Sequence, residues 1–209
     1  MRGNEVTRRA LLAGAGCWLA LPRPAAAQGV RSIARSIAGD FLIAKPRMPD
    51  PRFRESVLVM CRHAPDGAFG LICNKPMAEV PLADLMRQFL IEDAPGAAAP
   101  SHVAVHYGGP VEPQRGFLLH STDWVEDGTW RVTKQIAMSA NRSAIVALAR
   151  GEGPRHYLFC IGYAGWGPGQ IEGEFGRGDW ETAPAEAALT FDRKHESKWE
   201  RARKGAVDL

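Results

Sequence analysis

Residues 157–170 read YLFCIGYAGWGPGQ, and this stretch says more about the fold than any other part of the chain. The first five residues form a continuous apolar run, which is typical of a strand buried on both faces. The next nine include four glycines and a proline, a composition typical of a sharp turn with bare backbone where a strand ends. The stretch therefore predicts a buried strand followed by a glycine-rich loop.

Length and charge limit the number of domains and the classes of partner. The chain has 209 residues, 45% of them hydrophobic, which is enough for one well-buried core, and its composition shows no internal boundary. It has 26 basic and 23 acidic residues, but residues 1–27 hold four arginines and one glutamate, so the remainder carries 22 of each sign. A neutral domain lacks the positive charge behind non-specific nucleic-acid affinity, so we do not expect nucleic acid as a partner.

The first 27 residues have the three parts of a twin-arginine export signal. Paired arginines, Arg8-Arg9, precede a short apolar stretch at 13–21 and a small-residue cleavage site ending at Ala27. The apolar stretch is shorter than the roughly 20 residues that span a bilayer. We therefore expect a signal peptide at 1–27, a tail at 28–39 and a periplasmic domain at 40–209, without a transmembrane anchor after cleavage. A frayed N-terminal helix is the structural alternative.

Three cysteines remain after cleavage, Cys61, Cys73 and Cys160. All three lie in apolar, strand-like runs, which favours buried free thiols. A disulfide between the first two is the alternative. A two-residue turn at residues 66–67 would pair Cys61 with Ile72, and a slip of one residue would place the two cysteines opposite each other.

The rest of the chain reads as short strands joined by turns, with a few helices. Strands are predicted at residues 40–44, 57–62, 69–74, 102–107, 116–120, 130–132, 135–138, 157–162 and 189–192. Helices are predicted at residues 81–91, 139–150 and 195–203, with a helix start at 170–175. The hairpin around the Asp66-Gly67 turn is the strongest local prediction, and Gly151 is expected to end the second helix. This order predicts a single α+β domain with a mixed, largely antiparallel sheet and flanking helices.

Four motifs occur in an order that resembles the YqgE/AlgH family. They are FLIAKP at 41–46 with Met48, Asp50-Pro51, Phe53 and Ser56 behind it, GAFGLICNKP at 67–76, YGGPV at 107–111, and the loop at 162–170. The resemblance covers residues 40–207. It implies a YqgE/AlgH-like fold and a protein of a family named for regulation, whose molecular activity is unsettled.

The chain departs from the family pattern in two places. Family members usually begin near Phe41 without a signal, so the resemblance makes a cytoplasmic location the alternative to the periplasm. The family also runs a helix after the residue corresponding to Gln170, where this chain has Gly173, Gly176 and Gly178. Each glycine costs up to about 1 kcal/mol relative to alanine in a helix interior, so we expect that helix to be short or broken.

Common catalytic and metal-binding motifs are missing from the sequence. It has no G-x-S-x-G elbow, CxxC pair, Walker lysine or HExxH, and no cofactor is predicted. His102 and His106 are four residues apart, but the residues between them indicate a strand, on which they would lie roughly 13 Å apart. They are therefore interpreted as two ordinary histidines and not as a metal site. His63 follows a strand, but the sequence places no nucleophile beside it.

Eight residues are candidate ligand contacts because they lie in loops at strand ends. They are Trp166, Gly167, Gly169, Gln170, Asn74, Lys75, Gly108 and Gly109. The glycine loop could present backbone N–H groups to an anion, or its glycines could only let the chain turn closely under neighbouring strands. The Trp166 ring could be a stacking platform or a core residue, and residues 74–76 could be only a strand-terminating turn.

Three functions remain open from the sequence. The leading hypothesis is a non-enzymatic binding or regulatory module that contacts an unidentified protein or small molecule in the periplasm. The rival is an enzyme whose pocket lies at the Gly165–Gln170 loop. A nucleic-acid-associated regulator is the third, which zero net charge and export both oppose. A closed polar pocket with convergent titratable groups would favour the enzyme hypothesis. An exposed apolar patch would favour the binding-module hypothesis.

Overall fold

The computed structural model describes residues 35–92 and 95–208. The predicted signal peptide at 1–27 lies outside these residues, as do residues 28–34 of the predicted tail. Within the described ranges, no helix is both long and apolar enough to cross a membrane.

One long strand, β9, lies at the centre of the sheet and organises the other elements. The strands are β1 (Asp40–Ala44), β2 (Val57–Ala64), β3 (Gly67–Ile72), β4 (Pro76–Pro81), β5 (His102–Tyr107), β6 (Val111–Ser121), β7 (Trp130–Arg131), β8 (Ile136–Ser139), β9 (Tyr157–Trp166) and β10 (Trp180–Pro184). The helices are a 3₁₀ turn (Pro51–Phe53), α1 (Leu82–Gln88), α2 (Arg142–Arg150), α3 (Gln170–Gly176), α4 (Ala187–Thr190) and α5 (His195–Arg203).

The sheet runs in the order β10-β1-β2-β3-β9-β6-β8-β7, and β5 lies against β9 with β4 on its outer side. Of the pairings between the described strands, only β5 with β9 is parallel. This confirms the predicted α+β class and the mixed, largely antiparallel sheet. The buried apolar side chains form three clusters. One of them contains all three cysteines of the described residues.

The glycine-rich stretch is not the sharp turn that the sequence predicted, because β9 continues through it as far as Trp166. Before Gly162, β9 pairs with β5 and β6. Beyond it, residues 164–166 pair with β3. Gly162 has φ of +68°, a left-handed conformation that glycine adopts at little cost. Gly162 thus kinks β9, so that the end of the strand pairs with β3. The loop begins only at Gly167.

The β2–β3 hairpin is confirmed, but its register differs from the prediction. Ala64 pairs with Gly67, so the turn residues are Pro65 and Asp66, one residue earlier than expected. A bulge between Met60 and Arg62 then removes Cys61 from the ladder, so the predicted pairing of Cys61 with Ile72 is wrong. The three described cysteines are buried and free.

The predicted helices are all present, with shifts at some ends. Helix α5 has the predicted bounds, α1 ends at Gln88 and not at Ile91, α2 starts three residues later than expected but ends before Gly151, which has the left-handed conformation, and α3 is short, with seven residues. The strand predicted at 189–192 is wrong, because residues 187–190 form α4. Strands β4 and β10 were not predicted. Both end in a proline and contain little apolar alternation.

Candidate functional site

A pocket of about 300 Å³ lies beside the loop that follows β9, and we call it the indole pocket. Its aromatic wall consists of Phe53, Trp166 and Trp180. The Phe53 ring lies 6.3 Å from the Trp166 ring in a stacked arrangement and 5.5 Å from the Trp180 ring, edge on. The other lining residues are Met48, Pro49, Asp50, Arg52, Pro110, Val111, Gly165, Gln170, Glu174, Arg177 and Asp179.

The Glu174 carboxylate holds this wall together. Its Oε2 accepts the indole N–H of Trp166 at 2.9 Å and that of Trp180 at 2.8 Å, and its Oε1 accepts the side-chain amide of Gln170 at 3.0 Å. Hydrogen bonds to an ionised acceptor are stronger than neutral ones, so this contact fixes both indole rings. Glu174 was not among the predicted residues. Its position four residues after Gln170 on a helix was the signal that could have indicated it.

Of the predicted contacts, Trp166 and Gln170 line this pocket, but their polar groups already have partners. Only 6% of Trp166 is exposed, so its ring is a core residue and not an open stacking platform. The Gln170 Oε1 accepts the backbone N–H of Gly167 at 3.1 Å, and the Gln170 N–H donates to the Gly167 carbonyl. Two backbone N–H groups of the loop are therefore unavailable to an anion. Gly167 and Gly169 have open space around them.

Asn74 and Lys75 support the pocket from behind and do not line it. The Asn74 amide accepts the N–H of Val57 at 2.8 Å and donates to the Glu55 carbonyl at 2.7 Å. The Lys75 ammonium donates to the Arg52 carbonyl at 2.7 Å. Because these bonds hold the segment that carries Phe53, the two residues position one wall of the indole pocket.

Gly108 and Gly109 make close backbone contact with the kink in β9. A Cβ added at Gly108 would lie 2.2 Å from the Gly162 carbonyl oxygen, and one added at Gly109 would lie 2.2 Å from the Tyr163 carbonyl carbon. Real Cβ atoms do not approach so closely, so glycine is required for this packing. These glycines place Pro110 and Val111 at the edge of the pocket.

The charged groups at the edge of the indole pocket are paired with each other. Arg52 contacts Asp50 at 2.6 Å, and Arg177 contacts Asp179 at 2.8 Å. The hydrogen bond from Arg52 holds the pKa of Asp50 below its usual value. The lining contains no serine, threonine, cysteine, histidine, lysine or tyrosine. His63 lies elsewhere, with Nδ1 accepting the N–H of Ile37 and Nε2 3.0 Å from Glu172.

A second cavity, of about 490 Å³, lies near the other end of β9, and we call it the histidine cleft. Tyr157, at the start of β9, lines the histidine cleft, whereas Trp166, at its end, lines the indole pocket. His102, His106, His156 and His195 all line the histidine cleft. The sequence could not place the last two beside the first two, because His156 precedes β9 and His195 begins α5. In residues 35–92 and 95–208, no group of three or more His, Cys, Asp or Glu is arranged to hold a metal ion.

Comparisons with known proteins identify relatives for this fold. A family model described as DUF179, AlgH-like, matches residues 41–206. A UPF0301 protein of Cereibacter sphaeroides is 44% identical over 164 residues, which cover 78% of this chain and 88% of that protein. A UPF0301 protein of Methylococcus capsulatus is 41% identical over 180 residues, which cover 86% of this chain and 92% of that protein.

Solved structures give the same result. The solution structure of the AlgH protein from Pseudomonas aeruginosa has a TM-score of 0.70 and 35% sequence identity, and it covers 84% of this chain and 91% of its own. The crystal structure of protein DIP2367 from Corynebacterium diphtheriae shares the fold, with a TM-score of 0.62 at 22% identity. The match of one family model to most of the chain, together with these identities, shows that the chain belongs to the AlgH-like (UPF0301) family.

Proposed function

We propose that this chain is a non-enzymatic binding module that holds a small molecule, or a side chain of a partner protein, in the indole pocket. The observation that carries the proposal is the chemistry of the lining. Among the described residues, the lining offers no hydroxyl, thiol, imidazole or amine group as a nucleophile or base. Its three carboxylates already have partners: Asp50 is paired with Arg52, Asp179 with Arg177, and Glu174 accepts the indole N–H groups. Such a lining favours binding without reaction.

The hydrogen bonds of the wall support the same function. Glu174 accepts the indole N–H groups of Trp166 and Trp180 and the side-chain amide of Gln170. Both of its oxygens are therefore engaged in holding the wall. A preformed aromatic pocket with few free polar groups suits a flat apolar group with a polar end, which could contact the arginines at the edge.

The indole N–H groups of Trp166 and Trp180 provide a direct test. We expect a bound ligand to shift both indole resonances in nitrogen–proton correlation spectra, using tryptophan-type and nucleoside-type aromatic compounds as probes. Val111→Trp should abolish the shifts because the new ring fills the pocket. Val125→Trp is the control, because Val125 is 52% exposed and does not line the pocket. Turnover of any probe by the wild type that Val111→Trp abolishes would instead favour the enzyme.

Export belongs to the same proposal, and Arg8-Arg9 with the cleavage site at Ala27 supports it. Cell fractionation should find a shortened periplasmic form that begins near Gln28. Replacing both arginines by lysine should leave the precursor inside the cell. An intact N-terminus on cytosolic wild-type protein would contradict export and favour the cytoplasmic alternative, without affecting the test of the pocket.

A further inference from the structure

The histidine cleft gathers imidazole and guanidinium groups from three separate parts of the chain. His102 and His106 come from β5, Arg155 and His156 from the two positions before β9, and Arg193 and His195 from the segment that leads into α5. Glu79, on β4, is the one acidic residue of the lining. Asp123 contacts Arg155 from outside the cleft, at 3.6 Å.

Two imidazole nitrogens in this cleft are buried without a hydrogen-bond partner among the described residues. They are Nε2 of His106, whose side chain is almost fully buried, and Nδ1 of His195. The rings contact each other edge to face, with centroids 4.9 Å apart. His106 Nδ1 lies 3.2 Å from the Ala104 carbonyl, so this nitrogen carries the proton and Nε2 presents a lone pair. Buried polar atoms usually have partners, so two adjacent exceptions need an explanation.

A buried lysine lies behind the two rings. The side chain of Lys198, on α5, is fully buried, and its Nζ donates to the Cys73 carbonyl at 2.9 Å and to the Thr190 carbonyl at 2.8 Å. No salt bridge to Lys198 is found in the described part of the chain. Burial lowers the pKa of Lys198. Burial, together with repulsion from His195 and Lys198, also lowers the pKa of His106, to about 4.

We propose that the histidine cleft binds a small oxyanion, a carboxylate or a phosphate, with His106 and His195 as its inner contacts and Arg155 and Arg193 at its mouth. The unpartnered Nε2 of His106, buried and 4.9 Å from a second unpartnered imidazole by ring centroid, is the observation that points to a ligand. Once protonated, this nitrogen would donate a charge-assisted hydrogen bond to the oxyanion. The bond of Nδ1 to Ala104 would remain.

Proton uptake on binding follows from this arrangement. Without a ligand, burial and nearby positive charges oppose protonation of the two rings. A bound anion favours the protonated rings and raises their pKa, so affinity should rise as the pH falls. The charged and titratable groups around the rings are Glu79 from β4, His102 from β5, Arg155 and His156 before β9, Asp192 and Arg193 before α5, and Lys198 and Arg201 from α5. Of these, Asp192 is already engaged by Arg201.

A metal ion is less consistent with these residues. Structural and catalytic zinc sites use three or four protein ligands, whereas the cleft brings together two unpartnered nitrogens. His102 is four residues from His106 on the same strand, roughly 13 Å away, so it cannot complete the set. The two arginines at the mouth also favour an anion over a cation.

The test is a titration of the purified chain with inorganic phosphate and, separately, with citrate. We expect the Cε1–H resonances of His106 and His195 to shift saturably, with at least tenfold tighter binding at about pH 5.5 than at about pH 8. Calorimetry in two buffers of different ionisation enthalpy should show net proton uptake. Comparing phosphate with citrate distinguishes a phosphate ligand from a carboxylate ligand.

Two charge-reversal variants distinguish anion binding in the histidine cleft from general attraction to the positive charges of the protein. Arg193→Glu, at an exposed position, should weaken binding about tenfold or more. Arg131→Glu makes the same charge change on β7 and should leave binding within about twofold. His195→Gln should reduce the proton uptake, because only the His106 ring can then take up a proton. Equal weakening in the two arginine variants, or binding without proton uptake, would overturn the proposal. So would the absence of saturable binding at about 10 mM of either anion. Stoichiometric Zn²⁺ binding that shifts the resonances of both rings, when the anions do not, would also overturn it.

Discussion

The kink in β9 predicts that three glycines in one stretch differ sharply in their tolerance of alanine. At Gly162, φ is +68° and an added Cβ would lie 2.3 Å from the Gly109 carbonyl oxygen and 3.1 Å from that of Val111. At Gly169, φ is +72° but no atom lies within 4 Å of the added Cβ. At Gly167 the backbone is not in the left-handed region, and the space is also open.

The expected losses of stability follow from the backbone conformation of each glycine and from the space around its added Cβ. A left-handed conformation costs a residue with a Cβ about 1–2 kcal/mol, and forcing an extra carbon against packed backbone costs about 1–3 kcal/mol more. Gly162→Ala should therefore lower the free energy of unfolding by about 3 kcal/mol, the sum of the two. Gly169→Ala carries only the first cost, about 1 kcal/mol. Gly167→Ala should change stability by at most about 0.5 kcal/mol and could raise it, because alanine restricts the unfolded chain.

Urea unfolding followed by tryptophan fluorescence measures all three changes on one scale. For a domain of this size, about 3 kcal/mol corresponds to a fall of roughly 6–12 °C in melting temperature, which gives an independent measurement. If Gly162→Ala does not fold, the order of the other two variants still tests the reasoning. Equal effects of Gly167→Ala and Gly169→Ala, or a Gly162→Ala protein as stable as wild type, would refute it.

Two further predictions concern buried titratable groups. Burial lowers the pKa of Lys198, so the unfolded chain binds this proton more tightly and the contribution of Lys198 to stability should rise as the pH increases towards the usual lysine pKa of 10.5; the difference between the urea midpoints of wild type and Lys198→Met should change with pH in that direction. Burial raises the pKa of Cys61, Cys73 and Cys160, so a thiol reagent should react slowly with the native protein. After the processed chain is unfolded without reductant, the reagent should titrate three equivalents of free thiol. One equivalent would instead indicate a disulfide.

Local signals in the sequence predicted the elements that depend on local physics. The proline before α1, the spacing of Leu82, Leu85 and Met86, and Gly151 at the end of α2 each act within a few residues, and the helices lie accordingly. The hairpin was predicted for the same reason. Its register was not, because the turn lies one residue earlier than the Asp-Gly signal indicated and a bulge between Met60 and Arg62 shifts the pairing again.

The misreading of residues 162–170 has a different physical cause. Glycine is equally typical of a turn and of a strand that approaches another backbone closely, and only the three-dimensional neighbours decide between them. Here the neighbours are Gly108 and Gly109, more than 50 positions earlier in the chain. The glycines of two separate motifs therefore form one structural feature, in which the turn between β5 and β6 lies against the backbone of β9 without side chains between them.

The two cavities illustrate the same limit for function. The sequence indicated the indole pocket because the loop, Trp166 and Gln170 are contiguous, but it could not show that Glu174 already occupies their polar groups. It gave His102 and His106 no role because they lie four residues apart on one predicted strand, β5 in the structure. What makes His106 notable is the ring of His195, which α5 brings to 4.9 Å from a position 89 residues away. A lone buried histidine on a strand is ordinary, whereas two rings in contact, each with one unpartnered nitrogen, beside a buried lysine are costly to maintain, and a bound anion would offset that cost.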